Sequence, residues 1–234
     1  MKLALTAMLA LCIAAPATAS AADGGKHLEY LDAGQFDPSL LLPPPPAKGT
    51  PAEAFELQTL HRLIDSASKE RLQQAREDAD NETPAIFNGA VGVDLRTLPA
   101  TWALLELVQE EGDVAAGYSK VYFHRMRPYS ADLSLPFCEG KADPAKPAYR
   151  SYPSGHATLG YSVGWVLARL MPAKADKILA RAQDYAMSRQ ICGAHYPADT
   201  DASHVVGTLV GSRLLADPRL AAKIAAARNE LSKI

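Results

Sequence analysis

From Pro51 to about Ala79 the apolar positions Phe55, Leu57, Leu60, Leu63 and Ile64 recur at three- and four-residue intervals, and the charged run KERLQQARED follows. A repeat near 3.6 residues predicts an amphipathic helix. The same reading predicts helices over about 99–110, 113–126, 156–170, 174–190, 198–215 and 218–232, separated by Gly and Pro breaks. No stretch alternates apolar and polar positions for long enough to form a strand. These elements predict an all-α fold, a single bundle-like domain over 51–234, with 127–153 as its longest irregular segment. Loops of that length tend to carry function. Ahead of the helices, four consecutive prolines, Pro43 to Pro46, exclude helix and central strand. Residues 22–50 are therefore expected to form an extended Pro-rich arm, tied down by Leu40 to Leu42.

The first 21 residues carry one charge, Lys2, an apolar run from Leu3 to Ala15, and small residues at Ala17, Ala19 and Ala21. This pattern reads as a cleavable secretory signal peptide over 1–21. The run is shorter than the roughly 20 residues a membrane span needs, so the expectation is a periplasmic or secreted protein with no stable membrane insertion. The formal charge of −2 becomes −3 once Lys2 is removed, which gives no support for a broad basic face that would bind nucleic acid. Cys12 leaves with the signal, and an oxidising compartment favours pairing the remaining Cys138 and Cys192. Two buried free thiols are the alternative.

Three polar clusters interrupt the helical pattern. Lys120, His124 and Arg127 precede Pro128 and, on a continuous helix, would share one face at i, i+4 and i+7. A solvated basic face is the plain alternative. Pro153-Ser154-Gly155-His156 then introduces an apolar run. Ser154 can cap the helix and Gly155 lets a ligand approach the backbone, so the free amides make an anion seat with His156 at its rim. In SRQICGAHYPADTD, Gly193 breaks one helix after Arg189, and Pro197 opens the next between His195 and Asp199. A carboxylate on one ring nitrogen of His195 would leave the other as nucleophile or base. Ordinary helix capping by Asp199 is the competing reading.

Taken together, Lys120-x6-Arg127-Pro128, Pro153-Ser154-Gly155-His156 and Ser188-Arg189-x5-His195-x3-Asp199 resemble the three-part signature of the PAP2 phosphatase and vanadium haloperoxidase superfamily. More narrowly, LLLPPPP, SYPSGHATLGYS and SRQICGAHYPADTDASHVVG are similar to the bacterial class A nonspecific acid phosphatases. The resemblance implies that His195 takes the phosphoryl group, Asp199 orients it, and His156 is the general acid and base. It assigns Lys120, Arg127, Arg189, Ser154 and Gly155 to phosphate binding, and it implies a homo-oligomer. Phosphoryl transfer needs cations around the equatorial oxygens and acid-base groups at the apices, which three cations and two histidines supply. No metal or other cofactor is expected, because guanidinium and ammonium groups take over the clamp. The expected substrates are small phosphate monoesters: nucleotides, sugar phosphates and aryl phosphates. The alternatives are a vanadium-dependent haloperoxidase and a phosphate- or vanadate-binding protein without turnover.

Overall fold

Residues 27–234 are described in the computed structural model. The expected signal peptide and Cys12 lie outside the described residues. Seven helices of more than one turn form the described chain: α1 (Pro51–Ser66), α2 (Lys69–Asp80), α3 (Pro99–Phe123), α4 (Gly155–Leu170), α5 (Ala175–Ile191), α6 (Pro197–Ala216) and α7 (Ala221–Leu231). No strand occurs among the described residues. The fold is an all-helical domain.

The helix beginning at Pro51 differs from the expectation in that it divides. Ser68 accepts a hydrogen bond from the Arg71 amide at 3.2 Å and starts α2 as a new N-cap, so a side-chain cap competes with helix continuation. The opposite happens in α3. Gly112 reads as a break, yet the helix runs through it because the glycine is used for packing: a Cβ there would lie 3.3 Å from Ser162 Oγ of α4.

Central α4 packs on α3, α5 and α6, while α7 covers α3 and α2 covers α5. Leu105 and Val108 of α3, Val163 and Leu167 of α4, and Val206 and Val210 of α6 are fully buried in this core. The α4–α6 pair approaches closely at Gly207, where a Cβ would lie 2.8 Å from Tyr161 Cβ and 2.9 Å from Thr158 O. Only a residue without a side chain fits that crossing.

The arm is not extended throughout, since a 3-10 turn (Ala33–Phe36) and a single helical turn (Pro38–Leu41) precede the prolines. Of the expected anchors, Leu41 and Leu42 pack on the core and Leu40 does not, and Phe36 is a further anchor. Leu40 is 85% exposed, whereas Phe36 and Leu42 are buried. Glu111 of α3 fixes the start of the arm by accepting from the amides of Glu29, Tyr30 and Leu31 at 2.6, 3.2 and 3.1 Å. Tyr152 donates from its hydroxyl to Pro43 O at 2.8 Å, which ties the prolines to the segment that leads into α4.

Candidate active site

The C-terminal ends of α3 and α5 and the N-terminal ends of α4 and α6 supply the residues of the three motifs. Helix α3 stops at Phe123, and His124 takes a left-handed conformation (φ 44°) as its cap. Lys120, His124 and Arg127 therefore do not share a helical face. His124 turns outward and stacks on Tyr149, with ring centroids 4.3 Å apart. Lys120 and Arg127 both remain at the site, Lys120 over the start of α4 and Arg127 against His195.

Ser154 is the N-cap of α4, and its hydroxyl accepts from the Ala157 amide at 3.3 Å. A Cβ on Gly155 would lie 2.8 Å from Lys120 Nζ, so the missing side chain lets the ammonium settle over the helix start. At the other helix pair, Gly193 (φ 68°) makes the turn that carries His195 inward. A Cβ on Gly193 would come within 2.1 Å of Pro136 O, so both the conformation and the space demand glycine. The same turn is held by the Cys138–Cys192 disulfide, with Cα atoms 4.9 Å apart.

His195 is 1% exposed. Its Nδ1 lies 2.8 Å from Ser151 O, and a carbonyl only accepts, so Nδ1 carries the proton. Nε2 is then the lone-pair nitrogen, and it accepts from Arg127 Nη1 at 3.3 Å. Burial, and then the charges of Arg127, Arg189, Lys120 and His156, hold His195 well below the usual imidazole range. The tautomer and the charge state point the same way, to a neutral ring with a free lone pair directed at the cations.

Asp199 caps α6 and stands beside His195 without taking its hydrogen bond. Its Oδ2 is 3.4 Å from His195 Nδ1, but the hydrogen bond from that nitrogen goes to Ser151 O. Oδ2 accepts instead from Ser151 Oγ at 2.6 Å and from the Tyr196 amide at 2.9 Å. The carboxylate thus both caps α6 and fixes the residue that fixes His195. Its other oxygen accepts from Arg125 Nη1 at 2.7 Å, and Arg125 Nη2 donates to Glu56 Oε2 at 2.5 Å. Arg125 also lies 3.8 Å above the Tyr196 ring. Motif spacing gave no role to Arg125, Glu56 or Ser151.

His156 sits at the mouth of the site. Its Nε2 donates to Ala79 O at 3.1 Å, which leaves Nδ1 facing Glu82 Oε1 at 3.1 Å. Arg189 is 1% exposed and pairs through Nη2 with Glu139, while its Nε and Nη1 have no partner among the described residues. Lys120 is lowered to about 8, chiefly by burial and then by Arg127. Three cations, two imidazoles and the first amides of α4 thus converge on one volume. Among the described residues no group of three or more His, Cys, Asp or Glu is arranged to hold a metal ion.

Cations, a buried histidine and the first amides of a capped helix in one place form a site suited to a phosphoryl group. Residues 100–220 match the PAP2 superfamily, and the chain belongs to that superfamily. It is 33% identical over 204 residues to an acid phosphatase of Zymomonas mobilis, covering 84% of this chain and 76% of that protein. It is 32% identical to a non-specific acid phosphatase of Salmonella typhimurium (82% and 78% covered) and 31% identical to one of Providencia stuartii (88% and 86%). Among solved structures, Aquifex aeolicus LpxE shares the fold at a TM-score of 0.53 and 16% identity, covering 68% of this chain and 93% of that one. A transmembrane PAP2-type phosphatidylglycerolphosphate phosphatase of Bacillus subtilis matches equally, at 0.53 and 16% (70% and 85% covered). No described helix of the present chain is long and apolar enough to cross a membrane.

Proposed function

We propose that this PAP2-superfamily acid phosphatase hydrolyses phosphate monoesters of broad structure, without a metal, through a phosphohistidine on His195. The observation that carries the reading is the buried His195 ring, protonated at Nδ1 by its bond to Ser151 O, with its Nε2 lone pair beside Arg127. Lys120, Arg127 and Arg189 hold the equatorial oxygens, with the Gly155 amide and the Ser154 hydroxyl at the helix start. His195 Nε2 attacks phosphorus as the ester P–O bond breaks, and His156 Nδ1 gives its proton to the departing alkoxide. Water then loses a proton to His156 Nδ1 and attacks phosphorus. The P–N bond breaks, phosphate leaves, and His195 regains its lone pair. Asp199 and Arg125 position His195 through Ser151. Because contacts in this scheme go to the phosphoryl group that all monoesters share, broad specificity follows. Export to an oxidising compartment is supported by the Cys138–Cys192 bond.

The test is hydrolysis of p-nitrophenyl phosphate from pH 4 to 9 by the purified protein. Turnover should resist EDTA and be blocked by orthovanadate. It should persist well below pH 6.5, because His195 is held neutral there. KM should rise above pH 8, where Lys120, protonated at lower pH, loses its charge. Loss of activity in EDTA, or no turnover with vanadate still bound, would contradict this account.

A further inference from the structure

Two carboxylates with no part in this scheme stand inside the cation cluster. Glu82 follows α2, and its Oε1 lies 3.1 Å from His156 Nδ1 and 3.7 Å from the position that a Cβ on Gly155 would take. Lys120 Nζ lies 2.8 Å from that same position. Glu82 therefore fills the space over the start of α4 where a phosphoryl oxygen would meet the Gly155 amide, Lys120 and the acid-base nitrogen of His156. Glu139 comes from a separate segment, next to the disulfide at Cys138, and pairs with Arg189. Arg127 and the Tyr129 hydroxyl also feel its charge. Both glutamates retain a solvent-facing side, with side chains 48% and 32% exposed.

Burial works against ionised Glu82, but its bond to His156 and the charges of His156, Lys120 and Arg189 prevail and hold it below the ordinary carboxylate range. Acidity alone therefore does not clear Glu82 from the site. An incoming phosphoryl group would have to displace it, and the exposed sides of the two glutamates open onto the solvent edge of the seat. A leaving group attached to a phosphoryl group in this seat would lie along that edge.

We infer that Glu82 and Glu139 are specificity-determining residues, which fill the phosphoryl seat as resident counter-anions and, once displaced to its rim, select for leaving groups without further negative charge. The inference rests on the phosphatase reading above. Its chemistry is simple electrostatics: the interior cations engage the phosphoryl oxygens, while two carboxylates at the rim repel an anionic leaving group. Monoesters of neutral alcohols and sugars are then the favoured class, and phosphorylated acids the disfavoured one.

Glycerol 2-phosphate and 2-phosphoglycerate are suitable probes because they differ by one carboxylate. Their kcat/KM ratio and the Kd for inorganic phosphate are to be measured for the wild type, Glu82→Gln, Glu139→Gln, the double variant and Glu82→Asp. The wild type should favour glycerol 2-phosphate. In the double variant that preference should fall by about fivefold and phosphate should bind about fivefold more tightly, the scale expected for partly exposed charges. Glu82→Asp, which keeps the charge, should retain the wild-type preference. A wild type that hydrolyses both substrates, with a ratio and a phosphate Kd that stay unchanged in the double variant, would overturn the inference alone. A wild type that neither hydrolyses them nor binds phosphate would overturn the phosphatase reading and this inference with it.

Discussion

The His195→Ala variant is expected to lose turnover of p-nitrophenyl phosphate by on the order of 10⁴-fold or more, the scale seen when a covalent nucleophile is removed from a cooperating set. No other side chain in the cluster offers a neutral lone pair next to Arg127. Ser154 is occupied as the cap of α4, and His156 has one nitrogen committed to Ala79 O. The loss should be in kcat, with phosphate still bound by Lys120, Arg127 and Arg189. Retained helical circular dichroism would show that the fold survives. If the variant kept near-normal kcat, His195 would not be the nucleophile.

The second large effect is on stability. Arg125→Ala is expected to cost about 3–5 kcal/mol, because it leaves two buried carboxylates without their counter-charge. Glu56 and Asp199 are 7% and 0% exposed, and Arg125 bonds to both. Burial already pushes Asp199 up to about 6, and Arg125 is the first of the groups opposing that rise. Without Arg125 the carboxyl pKa in the folded state climbs further above its unfolded value. The folded form then favours the protonated acid, so the stability deficit should be largest near pH 7 and shrink as pH falls. For a chain of this size the melting temperature should drop by about 10 °C. Denaturant unfolding at pH 7 and pH 5 checks both the size and the sign, and equal stability to wild type at pH 7 would refute the role given to Arg125 between Glu56 and Asp199.

Much of this site was legible because phosphoryl chemistry confines residue types to short motifs at helix ends. Ser154, Gly155, Gly193 and Pro197 announce such ends by their own conformational preferences. Helix limits are less legible where one residue type serves two purposes. Gly112 looks like a break and is a packing residue, and Ser68 looks like one more polar position and is a cap. Lys120, His124 and Arg127 read as one helical face because nothing in HRMRP marks His124 as a left-handed stop.

The pairing of Arg125 with Glu56 and Asp199 is hidden from sequence for a different reason, since it joins three distant segments. One trace of it was visible all the same. Glu56, Leu60 and Ile64 fall at i, i+4 and i+8, which puts a carboxylate on the apolar stripe of α1. A buried glutamate demands a buried cation, and Arg125 provides it. Ser151 acts on His195 through its backbone carbonyl, and a backbone contact leaves no trace in residue identity. Glu82 and Glu139 read as ordinary surface charges, because their meaning depends on which cations the fold sets beside them.

A covalent intermediate on His195 can be trapped in a His156→Ala variant, using an aryl phosphate whose leaving group departs without a proton. Attack by His195 should still occur, while hydrolysis of the intermediate slows for want of a base. An alkaline quench preserves the acid-labile P–N bond, and peptide mass spectrometry locates the phosphoryl group. Phosphate is expected on His195 at a substantial fraction of the enzyme. A released phenol with no phosphoenzyme, or phosphate found on another residue, would contradict this assignment.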